Sequence, residues 1–126
     1  MGGYRSIGEA RVNFHRKDPR IEEPEHLAFI RELPCCVCGT NVCVDAAHVR
    51  MSDARVAKNN PGVGQKPHDR WTVPLCRTHH NEQHFGNEFW FWKEKGIDVI
   101  FLAMALHDNS GDHLRCEQII RSQREC

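Results

Sequence analysis

Two pairs of residues in this sequence have the types and spacing of a zinc site. Each pair has two residues between its members, and the pairs are Cys35 with Cys38 and Cys76 with His79. This spacing lets both side chains of a pair reach one ion from a tight turn, and two pairs complete a tetrahedral Cys3His shell. The sequence therefore predicts a structural Zn2+ ion, with Cys36 or Cys43 as the fourth ligand if His79 is not.

The remaining cysteines do not favour disulfide chemistry. The chain has seven cysteines, an odd number, and its first residues lack the apolar core of an export signal. Outside an oxidising compartment, metal binding is the default role for closely spaced cysteines. A redox role is the remaining alternative for Cys35 and Cys38. We expect small buried or tail residues at the other four positions: Cys36, Cys43, Cys116 and Cys126.

Three histidines form a second set of side chains that can do chemistry. His80 and His84 are four residues apart, so a helix places them on one face, where they can share a second metal ion. His48 lies between the two zinc pairs, so closing the zinc site folds its segment back toward His80 and His84. The alternatives are exposed polar residues for the pair and a hydrogen-bonded strand residue for His48.

The elements that must position these residues follow from the apolar pattern. A short amphipathic helix is predicted over 24–33, with Pro24 in its first turn and Pro34 ending it. A long polar loop at 51–70 separates two predicted strands, which cover 42–48 and 71–75. Further helices are predicted over 78–86, 88–95, 98–106 and 112–124. We expect their aromatic residues in the core rather than on a base-stacking surface.

Composition limits the classes of protein to consider. The 126 residues fit one domain, and 17 basic against 17 acidic side chains give no global charge that favours nucleic acid. Five basic residues lie in an N-terminal arm at 1–20, which we expect to be flexible. No stretch approaches the roughly 20 apolar residues of a membrane span, so we expect a cytoplasmic protein without membrane contact. Basic residues of the long loop face either phosphate or solvent: Arg55, Lys58, Lys66 and Arg70.

The order of these motifs resembles the HNH endonucleases, also called the ββα-metal or His-Me finger family. The matching run is CxxC, then AHVR, then VPLCxxHHxxxH, and it covers 35–84. Within it, GVGQKPHDRW at 62–71 and VPLC at 73–76 are similar to small phage and prophage members. These members include the recombination-enhancement nucleases of temperate phages, so the resemblance implies a phage or prophage origin.

The resemblance implies a fold and a domain organisation. The fold is of the α+β class, with a zinc-stabilised ββα-metal (HNH) core and flanking helices. The motif core occupies 35–86 inside a single nuclease domain at 21–126, which follows the flexible basic arm.

The resemblance also implies hydrolysis of DNA phosphodiester bonds. His48 would be the general base that takes a proton from water, a task suited to a side chain whose pKa lies near 6.5. A divalent cation, Mg2+ or Mn2+, would be held by His80 and His84. Arg50 and Lys66 are candidate phosphate-binding residues, with solvated surface as the alternative. DNA is then the substrate, and the phage relatives imply a recombinase filament as a partner.

Two positions depart from the family pattern. Many members have His or Asp as a metal ligand directly before the general base, where this chain has Ala47. The middle Asn of the family name falls on Trp71. Asp69, two residues earlier, is a candidate third ligand for the catalytic cation, or a plain turn residue. These departures leave a second interpretation open, a catalytically inactive zinc-binding module that binds nucleic acid or protein.

Overall fold

The computed structural model describes three stretches of the chain: residues 19–56, 58 and 66–124. Most of the predicted arm, the middle of the long loop and Cys126 lie outside these stretches. Within them the chain forms one two-stranded sheet and five α-helices, so the prediction of an α+β fold is confirmed. None of the described helices combines the length and the apolar character needed to cross a membrane.

The predicted elements form within two residues of their expected bounds. A short 3-10 turn at Ala54–Val56 interrupts the long loop. The other elements, in chain order, are α1 (Pro24–Arg31), β1 (Val44–His48), β2 (Thr72–Cys76), α2 (Arg77–Phe85), α3 (Glu88–Lys95), α4 (Val99–Asp108) and α5 (His113–Arg124).

The two strands pair antiparallel, and their register places His48 opposite Thr72 at one end of the sheet. All five residues of β2 are buried, whereas β1 is half-buried at four of its five positions. Pro74, at the centre of β2, has no N–H to donate, and its carbonyl accepts a hydrogen bond of 2.9 Å from the Cys36 N–H. Since α2 begins directly after β2, the order at the site is strand, strand, helix.

The core lies between the sheet and the helices. Pro24 occupies the first turn of α1, where its missing N–H costs nothing, and the helix buries Phe29 and Ile30. α4 is the most apolar helix and buries five of its ten residues. α5 closes the far side with Cys116 and Ile120. This packing fixes the sheet from which the candidate site is built.

Four aromatic residues in succession, Phe89 to Trp92, lie in α3. Phe91 and Trp92 are buried, whereas Phe89 and Trp90 are 52% and 61% exposed. Successive helix positions are about 100° apart, so four in a row occupy most of the circumference and cannot all face one core. The expectation that the aromatic residues of this helix are core residues is therefore wrong for Phe89 and Trp90.

Candidate functional site

The four predicted zinc ligands come together at one end of the sheet. Cys35 and Cys38 lie in the turn after α1, Cys76 ends β2, and His79 lies in the first turn of α2. Their ligand atoms all lie within 4.8 Å of one another. The Cys76 Sγ–His79 Nδ1, Cys35 Sγ–His79 Nδ1 and Cys38 Sγ–Cys76 Sγ distances are 3.2, 3.7 and 3.9 Å. In a tetrahedral site with bonds of about 2.3 Å, ligand atoms are about 3.8 Å apart. The group can therefore bind a metal ion such as zinc.

Backbone hydrogen bonds shape the turn that carries Cys35 and Cys38. The Gly39 N–H donates to the Cys35 carbonyl at 2.8 Å, and the Cys35 N–H donates to the Thr40 carbonyl at 2.8 Å. Gly39 has a φ of 81°, in the left-handed region that favours glycine. The bond from Cys36 to Pro74 attaches the turn to β2. The two halves of the metal group are thus joined by the backbone as well as by their side chains.

The neighbouring thiols Cys35 and Cys36 differ in their pKa values. Burial raises the pKa of Cys35, but hydrogen bonds from the backbone of Cys76 and Cys38 outweigh it and lower that pKa to about 7. Burial raises the pKa of Cys36 well above its ordinary value. Because a metal binds the thiolate, Cys35 is suited to ligation and Cys36 is not. Neither Cys36 nor Cys43 belongs to the ligand group among the described residues.

His48, the predicted general base, ends β1 with its side chain 17% exposed. Its Nε2 lies 2.8 Å from Asp69 Oδ1. Burial lowers the pKa of His48, and the nearby charges of Arg20 and Lys66 act in the same direction, although the carboxylate of Asp69 opposes them. The imidazole is therefore neutral at neutral pH, the form that can accept a proton.

The backbone that follows the His48 side chain is held by a partly buried polar network. Gln83 in α2 donates from Nε2 to the His48 carbonyl at 3.2 Å and to Glu88 Oε2 at 2.8 Å. Glu88 Oε1 accepts the Arg50 N–H at 3.1 Å, and its Oε2 accepts the Trp92 Nε1–H at 3.3 Å. Neither Gln83 nor Glu88 was predicted from the sequence. Gln83 could have been noticed because it lies three residues after His80, on a neighbouring part of the same helix face, whereas no comparable spacing marks Glu88.

His80 and His84 lie side by side on α2, as the four-residue spacing predicts. Their ring centroids are 4.8 Å apart. Asp45 Oδ2 lies 3.0 Å from His80 Nδ1, and the same carboxylate pairs with the Arg77 guanidinium at 2.9 and 3.1 Å. Hydrogen bonds from Arg77 and His80 lower the pKa of Asp45. Asp45 was also missed, although it lies two residues before Ala47 and so shares its strand face.

The predicted ligands of the catalytic cation do not form one compact group. In the described part of the chain, the zinc ligands are the only cluster of three or more His, Cys, Asp or Glu side chains close enough to hold an ion. Asp69 lies against His48 and does not join His80 and His84 in such a cluster. The catalytic cation and the role of Asp69 as its ligand remain predictions.

The basic residues near the site lie in different surroundings. Lys66 is exposed, and its charge acts on His48. Arg50 is half-buried two residues beyond His48. Arg55 pairs with Asp53 and Asp98, and the Lys58 ammonium donates to the Met51 carbonyl at 2.8 Å. Of the long-loop residues expected to face phosphate or solvent, Arg55 and Lys58 are therefore engaged within the protein.

Comparisons with known proteins give a family and one curated relative. A family model described as "Protein of unknown function (DUF968)" matches residues 12–111. The uncharacterized protein YdfU of Escherichia coli strain K12 is 32% identical over 68 residues, which are 54% of this chain and 18% of YdfU. The match thus spans less than a fifth of that relative's length. No solved structure matches the chain significantly.

Proposed function

Since the chain belongs to the DUF968 family, whose function is unknown, we propose from its site that it is a metal-dependent HNH endonuclease that hydrolyses DNA phosphodiester bonds. One observation carries the proposal. The imidazole of His48 lies against the buried carboxylate of Asp69, and His48 ends the strand that packs beside the helix bearing His80 and His84. The motif order that resembles phage and prophage HNH nucleases agrees with it.

The metal group at Cys35, Cys38, Cys76 and His79 acts as a scaffold in this proposal. Four protein ligands fill a tetrahedral shell and leave no open position, which is the pattern of structural rather than catalytic zinc. The group joins the turn after α1 to the junction of β2 and α2. A bound Zn2+ would thereby hold the strand of His48 against the helix of His80.

His48 would act as the general base. Because the ionised Asp69 can only accept, His48 donates from Nε2, and its Nδ1 is the nitrogen that can take a proton. Nδ1 would accept a proton from a water molecule, whose oxygen then attacks the phosphorus. The bond between phosphorus and the 3′ oxygen breaks, and that oxygen is protonated from solvent. The lowered pKa of His48 keeps the base available at neutral pH.

His80 and His84 can supply part of the coordination shell of a divalent cation. The bond from His80 Nδ1 to Asp45 leaves Nε2 as the ligand atom, an arrangement common among metal-bound histidines. Two imidazoles favour Mn2+ over Mg2+, although either can bind with water and phosphate oxygens as further ligands. The cation would neutralise charge on the phosphate and stabilise the leaving 3′ oxygen.

Arg50 and Lys66 would bind the phosphates of the substrate. Lys66 is exposed and lies close enough to His48 to lower its pKa. Phosphate contacts position a nucleic acid without reading its sequence. We therefore propose non-specific or structure-guided cutting of DNA, with a recombinase filament as the partner that the phage resemblance suggests.

One observation favours a second function, an inactive zinc-binding module that binds nucleic acid or protein. Among the described side chains only the zinc group is assembled as a ligand cluster, and Ala47 stands where many HNH members have a ligand. Such a module binds one metal ion per chain, and its affinity for nucleic acid or protein does not depend on His48.

A plasmid assay tests the proposed function. Zinc-loaded protein is incubated with supercoiled plasmid and Mg2+ or Mn2+, as wild type, as His48→Ala and as His113→Ala. His113 is the matched control because it also pairs with a carboxylate, Glu32, at 2.6 Å, but in α5. We expect nicking or linearisation by the wild type and His113→Ala, and a loss of about 10²- to 10⁴-fold in His48→Ala. Absence of cutting by the wild type, or equal cutting by His48→Ala, would refute the proposal.

A further inference from the structure

We propose that Asp69 is a positioning residue that fixes His48 in the Nε2–H tautomer and presents Nδ1 to the substrate, and that it is not a ligand of the catalytic cation. The orientation of His48 follows from the structure alone. The catalytic consequence rests on the proposed nuclease function.

The carboxylate of Asp69 is buried, and both of its oxygens accept hydrogen bonds from protein donors. The side chain is 1% exposed. Its Oδ1 faces His48 Nε2 at 2.8 Å and the Arg20 guanidinium, and its Oδ2 accepts the Glu23 N–H at 2.8 Å. A carboxylate offers about four lone-pair sites, and three of them face donors, one from His48 and two from residues 20–23. Among the described residues Asp69 belongs to no metal-ligand group, which places its carboxylate with His48 rather than with a cation.

The segment before α1 holds Asp69 in place. Arg20 Nε–H donates to the Pro67 carbonyl at 3.0 Å, and the Ile21 N–H donates to His68 Nδ1 at 2.7 Å. In return, the Asp69 N–H donates to the Ile21 carbonyl at 3.1 Å. These bonds join residues 20–23 to residues 67–69. The position of the carboxylate is therefore set by the fold and not by His48.

The surroundings of Asp69 also decide which tautomer His48 adopts. Three donors converge on the carboxylate, so both of its oxygens must accept. An asparagine in its place has only one oxygen. The backbone N–H of Glu23 cannot turn away, so we expect the amide oxygen to take the place of Oδ2 and the NH2 group to face His48 and Arg20. The Arg20 side chain is 30% exposed and can turn to solvent, and His48 can accept at Nε2 and carry its proton on Nδ1, which is the wrong tautomer for a base. The corresponding change in a serine protease lowers kcat by about 10⁴-fold for this reason.

Asp69→Asn in the zinc-loaded 126-residue chain tests the proposal with two measurements. The first is the tautomer of His48, read from long-range 15N–1H correlations of the histidine rings. We expect Nε2–H in the wild type and Nδ1–H or a mixture in Asp69→Asn. The second is plasmid nicking, where we expect kcat to fall by about 10²- to 10⁴-fold with KM nearly unchanged. Glu32→Gln, which removes the carboxylate from His113, should leave kcat unchanged.

Each outcome supports or overturns the proposal. An Nδ1–H tautomer in the wild type overturns it without any variant, so a failure of Asp69→Asn to fold leaves the test intact. An unchanged tautomer or an unchanged kcat in a folded Asp69→Asn also overturns it. Loss of Mn2+ binding in that variant, with the tautomer retained, would make Asp69 a ligand. If the wild type does not cut DNA, the nuclease function fails while the tautomers still decide the positioning role.

Discussion

The zinc group and the three histidines of the second set, His48, His80 and His84, are held in place in different ways. In the zinc group the four ligand atoms face one another, within 4.8 Å, and no carboxylate intervenes. In the second set two of the three imidazoles are held from outside by an acid, His48 by Asp69 and His80 by Asp45, at 2.8 and 3.0 Å. Convergent ligands close a structural site. Imidazoles held from one side keep the other nitrogen free for water, a cation or a substrate.

Removal of a zinc ligand has the largest expected effect on the protein. Structural zinc contributes about 10–16 kcal/mol in zinc-finger peptides, which matches or exceeds the 5–15 kcal/mol stability of a typical domain. We therefore expect Cys76→Ser to lose cooperative unfolding and zinc. Thermal melting followed by circular dichroism, with elemental analysis, measures this. Cys43→Ser, an exposed cysteine outside the group, is the control, and a Cys76→Ser melting curve like that of the control would contradict the assignment.

The second test removes the acid that holds His80. Loss of a hydrogen-bonded partner of a metal-bound histidine typically costs 10- to 100-fold in metal affinity. We expect Asp45→Asn to weaken Mn2+ binding by about that factor and to leave zinc in place. Isothermal titration of zinc-loaded protein measures the affinity, with Glu32→Gln, which removes an exposed acid from His113, as control. If Mn2+ affinity is unchanged in Asp45→Asn, Asp45 does not serve the cation site.

The third test uses pH to sharpen the role of His48. Burial lowers the pKa of His48 below its ordinary 6.5, and the neutral form is the base. The rate of plasmid nicking at saturating Mn2+ should therefore stay flat from pH 8 to pH 6.5. It should fall about tenfold per pH unit only once the pH drops below the lowered pKa. An inflection above pH 6.5 would contradict a neutral, buried base.

The smallest expected effect concerns Lys66. A single exposed charge on a phosphate is worth about 0.2–1 kcal/mol, so Lys66→Gln should raise KM for plasmid only a few-fold. The slope of log affinity against log salt should decrease by about one. Arg121→Gln, an exposed change on α5, should alter neither quantity. An unchanged salt slope in Lys66→Gln would show that Lys66 is a solvated surface residue that does not contact phosphate.

The difference between the zinc group and the histidines held by acids explains which of these residues the sequence could predict. The zinc ligands occur in two pairs, each with two residues between its members on a tight turn. Local chain geometry therefore predicts all four ligands: Cys35, Cys38, Cys76 and His79. It does not predict the acids. Asp69 reaches His48 only because residues 20–23 bind the end of the long loop, a contact between segments far apart in the chain.

The elements themselves were predicted well because apolar periodicity and proline or glycine mark their ends. The faces of α3 could not be predicted, since four consecutive aromatic residues carry no helical period. The packing of α2 against that helix leaves Trp92 buried, with its Nε1–H donated to Glu88, and Trp90 exposed.

Counting metal ions in one sample tests the division into two sites most directly. Zinc-loaded wild type and His80→Ala are dialysed against Mn2+, and both metals are measured per chain by elemental analysis, with Mn2+ affinity from electron paramagnetic resonance. We expect one Zn2+ in both proteins, and in the wild type a more weakly bound Mn2+ ion that His80→Ala loses. A single metal per chain in the wild type, or loss of zinc in His80→Ala, would contradict it.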